Sequence, residues 1–268
     1  MEKKFKLGVI GAGYMATSII NGAVDSGFLT KNSIIVNDAN DNILKSYKSN
    51  GFSTSNCSQD IFDNSEFVLI SVKPQNFSEV ASCVNINSDV KIISIMAGVT
   101  RDRIANELKV KKVVRCMPNA PCAVKSGAVG IDCSLLNEKK DVQFVKSLFS
   151  SVATVVELKE ELLNVVTGVS GRAPAYFYLF AKGIIEAGVE RGLTYEQSFD
   201  LVVNTLIGSG KMLIDKSEQS IDSLISSVCS KGGTTLEAIK VYNDSNLENI
   251  SKKAVNACIK RAEELERV

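Results

Sequence analysis

Residues 5–16 read FKLGVIGAGYMA and decide the fold class of this chain. The apolar run Phe5–Ile10 predicts a short buried strand, and the residues after the glycines predict a helix. In the G-x-G-x-x-A pattern between them, Gly11 would make the tight turn and Gly13 would let the backbone approach a pyrophosphate, while Ala16 would allow close helix–strand packing. An ordinary glycine-rich turn could have the same sequence. The position of this pattern between a strand and a helix favours a dinucleotide-binding site.

A second predicted strand, over residues 33–38, ends in the carboxylate of Asp38. In a dinucleotide-binding fold this position faces the adenosine ribose. Asp38 and Asn40 could instead cap the helix that follows, and the two roles can coexist. Because a carboxylate at the ribose would repel a 2′-phosphate, we expect NADH to be preferred over NADPH.

The first part of the chain alternates between strand-like and helical segments. Further strands are predicted over 67–72, 91–95, 113–116, 128–131 and 154–157, and helices near 77–84, 101–109 and 138–150. This alternation predicts an α/β fold with an N-terminal Rossmann-type, doubly wound parallel sheet. After residue 160 only helical periodicity remains, in long segments over 173–191, 196–216 and 247–266. We therefore expect a Rossmann domain over 1–160 and an all-helical domain over 161–268.

Composition excludes several classes of function. The 31 basic and 30 acidic residues leave a net charge of +1, which gives no electrostatic case for binding nucleic acid or an anionic membrane. No apolar stretch approaches the ~20 residues of a membrane span. The seven scattered cysteines form no CxxC pair and there is no histidine, which excludes zinc sites of the usual spacing. We expect no metal, reduced thiols and a cytoplasmic location.

A glycine-rich turn, Cys229–Thr235 (CSKGGTT), leads into an amphipathic helical pattern. Such a turn aims free backbone N–H groups at one point, with the helix dipole behind them, and can hold a carboxylate or phosphate. Taken alone, an ordinary capped helix start that binds nothing is the better interpretation. The upstream nucleotide fingerprint has no other obvious place for a substrate, so this turn becomes the candidate substrate site.

These stretches together resemble the pyrroline-5-carboxylate reductase family, whose members complete proline synthesis. The resemblance runs in order along the chain. Residues 7–16 resemble its N-terminal fingerprint, 71–75 its A-V-K-P-Q, 115–121 its R-x-M-P-N-T-P, 167–176 its T-G-x-S-G-S-G-P-A-Y and 230–235 its S-P-G-G-T-T. The chain departs from these motifs at Ala120 (for Thr), at Arg172-Ala173 (for Ser-Gly) and at Lys231 (for Pro).

The resemblance implies an NAD(P)H-dependent reductase that converts 1-pyrroline-5-carboxylate, a cyclic imino acid, to L-proline. Ser230, Gly232, Gly233 and Thr234 would hold the substrate carboxylate, and Thr235 would be the catalytic residue that hydrogen-bonds the ring nitrogen. The residues implied to contact the cofactor follow successive strands: Gly11, Ala12, Gly13, Tyr14, Met15, Ala16, Asn37, Asp38, Ser71, Val72, Lys73, Pro74, Ala97, Gly98, Pro118 and Asn119.

The helical domain would bind the substrate and form a homodimer, or a larger homo-oligomer. Its helices carry apolar residues over wide arcs, more than a small domain can cover by itself.

Two other functions are compatible with a Rossmann fold. A β-hydroxyacid-type dehydrogenase would use a catalytic lysine on the long interdomain helix, where Lys182 stands without the expected flanking motif. A non-catalytic nucleotide-sensing protein would have no need of the hydroxyls of Ser230 and Thr235. Oxidation of NADH by pyrroline-5-carboxylate separates both alternatives from the reductase.

Overall fold

The computed structural model describes residues 3–86 and 89–266, and within these ranges one sheet of eight strands forms the centre of the first half of the chain. Its strands are β1 Phe5–Ile10, β2 Ile34–Asn37, β3 Ser53–Thr54, β4 Ser65–Ile70, β5 Lys91–Ser94, β6 Val113–Pro118, β7 Gly127–Asp132 and β8 Ala153–Glu157. They lie side by side in the order β3-β2-β1-β4-β5-β6-β7-β8. The short strand β3 was not predicted, because it contains only Ser53 and Thr54.

All neighbouring strands are parallel except β6 and β7. The antiparallel register pairs Pro118 with Val129, and the connection between the strands contains only the 3-10 turn Ala120–Val124. A parallel connection needs a crossover of a dozen or more residues, which this loop is too short to provide. The sheet is therefore mixed, whereas the alternating pattern predicted a wholly parallel one.

Helices cover both faces of this sheet, as expected for a doubly wound fold. They are α1 Tyr14–Asp25, α2 Asp41–Ser49, α3 Ser58–Asn64, α4 Phe77–Ser82, α5 Arg101–Leu108, α6 Lys139–Ser150 and α7 Leu163–Val166. One apolar layer includes Ile19 of α1 and Phe144 of α6, and the other includes Ile61 of α3 and Ile104 of α5. The predicted Rossmann-type sheet is confirmed.

The chain divides into two compact units, Met1–Arg172 with Cys258–Val268, and Ala173–Ala257. The second unit consists of helices: α8 Ala173–Glu190, α9 Tyr195–Asp215, α10 Ile221–Ser227, α11 Thr234–Asp244 and the first part of α12 Leu247–Glu266. Helices α8 and α9 pack as a hairpin, in which the buried Ser198 hydroxyl donates to the carbonyl of Ile185 at 2.9 Å. The predicted C-terminal helical region is confirmed.

The first unit extends beyond residue 160 because α7 and a following π turn, Thr167–Gly171, pack onto β6 and β7. A Cβ on Gly130 of β7 would lie 2.9 Å from Val166, and one on Gly171 would lie 2.8 Å from Met117 of β6. Within the described ranges, no helix combines the length and the apolar composition needed to span a bilayer.

Candidate active site

The carboxyl ends of β1 and β4 lie side by side at the point where the strand order reverses. The parallel register pairs Ile10 with Ile70, so the loop that begins at Gly11 runs beside Ser71 and Val72. The Ser71 hydroxyl donates to the carbonyl of Gly11. In open α/β sheets this switch point is where nucleotides bind.

Gly11 adopts a backbone conformation that few other residues could adopt. Its φ is +84°, and a Cβ at this position would lie 2.9 Å from both Cγ1 and the backbone nitrogen of Val72. Its N–H donates to the carbonyl of Asn37 at 2.9 Å, which joins the loop to the end of β2. A glycine is therefore required at this turn.

The first turn of α1 is open to an anion. Gly13 is the N-cap residue, no side chain caps the helix, and the first turn carries no acidic residue. A Cβ on Gly13 would meet nothing within 4 Å. Helix N-termini leave their first N–H groups without intrahelical partners, so this turn fits a pyrophosphate. Tyr14 is exposed beside it, Met15 is half-buried, and Ala16 is buried against the sheet.

Asp38 joins the glycine loop to the entry of α2, and Asn40 is the residue whose side chain caps that helix, by accepting from the N–H of Asn42 at 3.0 Å. Oδ1 of Asp38 accepts a hydrogen bond from the N–H of Asn40 at 2.8 Å, as a helix-entry residue does. Its Oδ2 accepts from the N–H of Ala12 at 2.7 Å, within the glycine loop. The carboxylate is half-buried and sits where a ribose would be read.

The neighbouring Asn37 is buried, and both ends of its amide are engaged. Its Nδ2 donates to the carbonyl of Ser55 at 2.9 Å, and its Oδ1 accepts from the Ser58 hydroxyl at 3.1 Å. Lys73 lies on the other side of the glycine loop, exposed before the 3-10 turn Pro74–Asn76. Among the described residues none pairs with its ammonium group.

The ends of β5 and β6 bring the remaining predicted cofactor residues to the same edge. Half-buried Ala97 precedes Gly98, which has a φ of +71°. A Cβ added to Gly98 would lie 2.9 Å from Cβ of Leu265 in α12. Pro118 and Asn119 are both buried at the end of β6. Sequence reasoning missed the contact with Leu265, because no local pattern links two residues so far apart in the chain.

An ion-pair network around Glu160 was also missed. Glu160 accepts from the N–H of Arg101 at 2.7 Å and from Nη1 of Arg115 at 2.8 Å. Arg101 also pairs with Asp132 at 3.0 Å, and Arg115 pairs with Glu266 at 3.0 Å. The signal that could have revealed it was Arg115 itself, a charge inside an otherwise apolar strand, since buried charges are normally paired.

The buried thiols near this edge remain protonated at neutral pH. Burial raises the pKa of Cys116 well above its usual value, with smaller contributions from Cys133 and Asp132. Burial also raises the pKa of Cys133 to about 12. Neither thiol has the thiolate character that a nucleophile needs.

The candidate substrate turn lies at the start of α11, in the second unit. The N–H of Gly233 donates to the carbonyl of Ser230 at 2.9 Å, and Gly232 has a φ of +73°, which this kind of turn requires. A Cβ on Gly233 would collide with Oγ of Ser230. Gly233 is the N-cap residue and no side chain caps α11, so the ordinary capped start that was the alternative is not present.

The Gly233 N–H is thus used within the turn and is not free to hold a carboxylate, and among the described residues the N–H groups of Thr234 and Thr235 have no backbone partner. Two hydroxyls stand beside these two N–H groups. Ser230 is exposed and Thr235 is half-buried, and within the described ranges neither hydroxyl has a hydrogen-bond partner. Thr234 and Lys231 are exposed. Unpaired N–H groups at a helix start, next to free hydroxyls, suit a carboxylate together with a polar ring atom.

The surroundings of Lys182 bear on the dehydrogenase alternative, and the arrangement of acidic and cysteine side chains bears on metal binding. Lys182 on α8 is 67% exposed in its side chain and lies 3.6 Å from Glu186. In the described part of the chain, no group of three or more His, Cys, Asp or Glu side chains is arranged to hold a metal ion.

Similarity to known proteins extends over nearly the whole chain. The family model for pyrroline-5-carboxylate reductase dimerisation matches residues 160–265, and that for coenzyme F420-dependent NADP oxidoreductase matches residues 6–98. The pyrroline-5-carboxylate reductase of Haemophilus influenzae is 32% identical over 262 residues and is covered to 96%, as is this chain.

Solved structures agree with this. A pyrroline-5-carboxylate reductase from Coxiella burnetii superposes with a TM-score of 0.89 at 30% identity, covering 99% of this chain and 100% of that one. Plasmodium falciparum pyrroline carboxylate reductase with NADP bound superposes with a TM-score of 0.87 at 25% identity and the same coverage. With relatives at 30% identity or more along nearly its whole length, the chain belongs to the pyrroline-5-carboxylate reductase family.

Proposed function

We propose that this chain catalyses the NAD(P)H-dependent reduction of 1-pyrroline-5-carboxylate to L-proline, the last step of proline biosynthesis. The observation that carries the proposal is the end-to-end match to reductases of that name, which includes both the glycine loop and the C-terminal turn. A β-hydroxyacid dehydrogenase would use a catalytic lysine on the long interdomain helix, where Lys182 stands without the expected flanking motif and lies 3.6 Å from Glu186.

The glycine loop is proposed to hold the cofactor. The open N–H groups of the first turn of α1 would bind the pyrophosphate, and Asp38 would accept hydrogen bonds from the ribose. Lys73, Ala97, Gly98 and Pro118 line the same edge. NADP is bound in the Plasmodium reductase, and either NADH or NADPH fits the family. Because Asp38 holds a negative charge against the loop, we propose that NADH is preferred here.

The turn Ser230–Gly233 is proposed to hold the substrate. Its carboxylate would be bound by the open N–H groups at the start of α11 and by the Ser230 hydroxyl, with Gly232 permitting the turn and Gly233 the close approach. The Thr235 hydroxyl would accept a hydrogen bond from the protonated ring nitrogen and so orient the C=N bond. When bound, the reduced nicotinamide supplies a hydride to the ring carbon, and the π electrons of the C=N bond move to nitrogen. A protonated imine is already a good electrophile, so the residues contribute mainly by positioning.

The proposal is tested by mixing the purified protein with NADH or NADPH and 1-pyrroline-5-carboxylate. We expect loss of absorbance at the nicotinamide band together with stoichiometric formation of L-proline. 1-Pyrroline, which lacks the carboxylate, should react more slowly because it cannot use the Ser230–Gly233 turn. Cofactor binding without turnover would favour a nucleotide-sensing protein, and oxidation of a β-hydroxyacid would favour the other dehydrogenase class.

We further propose a homodimer that forms through the helical domain, while residues 1–160 serve cofactor binding. The supporting observation is a set of apolar side chains on α8 and α9 that no described residue covers. Leu179 is 74% exposed and Ile214 is 79% exposed. An apolar groove of about 650 Å³ runs between α8 and α12, lined by residues such as Phe180, Tyr242 and Ile250. Apolar patches of this kind mark protein–protein interfaces.

We propose a cytoplasmic location because the cysteines form no disulfides among the described residues. All seven lie in the described part of the chain and all are free thiols. Disulfide-free proteins with several thiols are typical of reducing compartments. Fractionation of cells that express the tagged protein tests this, and recovery in a secreted or periplasmic fraction would contradict it.

A further inference from the structure

Asn119 lies directly after β6, at the carboxyl edge of the sheet, and is only 8% exposed. Its amide contacts two different segments. Oδ1 accepts a hydrogen bond from the N–H of Ala128 at 2.9 Å, and Nδ2 donates to the carbonyl of Ser170 at 3.3 Å. One side chain thus joins β6, β7 and the π turn Thr167–Gly171.

Through its contact with Ala128, the Asn119 side chain extends the hydrogen bonding of the β6–β7 hairpin by one residue pair. The antiparallel register ends with Pro118 paired to Val129, so Asn119 and Ala128 would form the next pair. The main chain of Asn119 turns away instead, and its carbonyl accepts from the N–H of Cys122 at 3.1 Å. The amide oxygen of Asn119 therefore takes the place of a backbone acceptor.

The contact with Ser170 holds the π turn. The N–H of Arg172 donates to the carbonyl of Thr167 at 3.0 Å, which closes the wider i→i+5 loop of a π helix. From the other side, Gly171 fits against Met117, where a Cβ would lie 2.8 Å from the Met117 methyl group. π turns inside helices are rare and occur frequently at functional sites.

We infer that Asn119 is a positioning residue for hydride transfer, an inference that rests on the proposed function. In a doubly wound sheet the first half, β1–β3, holds one mononucleotide and the second half, β4–β6, holds the other. The glycine loop belongs to the first half, so the end of β6 faces the nicotinamide. Because both polar atoms of the Asn119 side chain are used by Ala128 and Ser170, it acts by holding Pro118 and the π turn in place. A displacement of about 1 Å at such a position can cost roughly 100-fold in rate.

The variant Asn119→Asp isolates the contact with Ser170. It preserves the shape and the acceptor for Ala128, and it replaces the donor with a carboxylate oxygen facing a carbonyl. We expect kcat to fall roughly 10- to 100-fold, while KM for NADH changes much less because the glycine loop is untouched. The primary isotope effect with C4-deuterated NADH should rise as hydride transfer becomes slower than the other steps, which loss of folded protein alone would not produce.

Asn64→Asp is the matched control. Asn64 also donates from Nδ2 to a backbone carbonyl, that of Asp60 at 2.8 Å, but it is half-buried and precedes β4 at the opposite edge of the sheet. Its kinetics should match the wild type. Hydrogen–deuterium exchange of residues 167–172 gives a readout that needs no substrate, and Asn119→Asp should speed this exchange whereas Asn64→Asp should not.

The outcomes separate the two proposals. A wild-type protein that does not reduce pyrroline-5-carboxylate refutes the proposed function, while the exchange experiment still tests the contact. Unchanged exchange, or an unchanged kcat and isotope effect in Asn119→Asp, overturns the inference. If that variant does not fold, Gly171→Ala displaces the same π turn from the side of Met117 and should give the same lowered kcat and raised isotope effect. Wild-type values there would overturn the inference as well.

Discussion

The N–H of Ala12 donates a hydrogen bond to Oδ2 of Asp38 at 2.7 Å, which ties the glycine loop after β1 to the end of β2. The second oxygen, Oδ1, accepts from the N–H of Asn40 at 2.8 Å and starts the turn into α2. One carboxylate therefore shapes the loop and places a negative charge where the proposed cofactor's adenosine ribose would bind. This relationship makes Asp38 the best position at which to test cofactor choice.

Replacing Asp38 by Asn should weaken the preference for NADH. The variant keeps an oxygen that can accept from Ala12 but removes the charge that repels a 2′-phosphate. We expect the ratio of kcat/KM for NADPH to that for NADH to rise roughly 5- to 30-fold. The control is Asp25→Asn, an exposed acid at the end of α1, which should leave the ratio unchanged. A wild-type enzyme that already prefers NADPH would show that Asp38 does not select against the phosphate.

The variant Thr235→Val should lower turnover while it leaves cofactor binding intact. It preserves the shape of the side chain and removes the one hydroxyl proposed to accept from the ring nitrogen. A hydrogen bond to a charged group contributes about 1.5–3 kcal/mol, which corresponds to roughly a 10- to 150-fold loss of kcat. Thr154→Val, an exposed change on β8, is the control. The assignment of Thr235 fails if kcat/KM is unchanged.

Lys91 should be important for stability, because it is a buried cation with two carboxylate partners. Its ammonium lies 3.1 Å from Glu66 and 3.4 Å from Asp141, and the Asp141 side chain is only 2% exposed. Lys91→Met would leave both carboxylates without this cation, and we expect the free energy of unfolding to fall by about 3 kcal/mol. The additional change Asp141→Asn should recover part of this loss. Lys140→Met, which removes an exposed pair with Glu138, should have little effect in the same denaturant titration. A small effect of Lys91→Met would contradict the buried-pair argument.

The same cluster predicts a loss of stability in acid. Burial by itself raises the pKa of Glu66, but hydrogen bonds and charges from Lys6 and Lys91 outweigh it and lower the pKa below its usual value. A carboxylate with a lowered folded-state pKa stabilises the protein above the pKa of the unfolded chain, and this contribution disappears as pH falls through the folded-state pKa. Unfolding measured from pH 6 down to pH 3 should therefore show a smaller loss for Glu66→Gln than for the wild type. Parallel curves would refute the prediction.

Two buried serines should respond to alanine in opposite directions. Ser65 is fully buried at the start of β4, and within the described ranges its hydroxyl has no hydrogen-bond partner. Ser94 is equally buried, but its Oγ accepts from the N–H of Met96 at 3.3 Å. An unsatisfied buried polar group costs about 1–3 kcal/mol, so Ser65→Ala should stabilise and Ser94→Ala destabilise the protein. Thermal unfolding of both variants checks this, and equal shifts would contradict it.

The proposed dimer predicts a particle of twice the chain mass of 28.9 kDa by light scattering at micromolar concentration. Leu179→Glu should shift the protein towards the monomer, because it places a charge among the exposed apolar side chains of α8. Gln143→Glu, at an exposed position of α6, should not. A wild-type monomer would rule out the assembly.

Local patterns were enough to identify the elements and the motifs of this chain. The strand Phe5–Ile10, the glycine loop and the turn before Thr234 are read over a few residues, since periodicity and glycine spacing depend on the local backbone. The change from alternating segments to helices alone predicted the two-part fold for the same reason. The resemblance to the reductase family used the same short stretches.

Only the tertiary structure decided which distant groups meet. The reversal of β7, the tether from Ala12 to Asp38, the fit of Gly98 against Leu265 and the bridge from Asn119 to Ser170 join residues from separate elements. Such contacts depend on strand order and on packing, neither of which leaves a local pattern in the sequence. The sequence by itself therefore determined the family, the fold class and the residues that could carry the chemistry, and the folded chain decided which of their polar atoms are engaged and which remain open to a ligand.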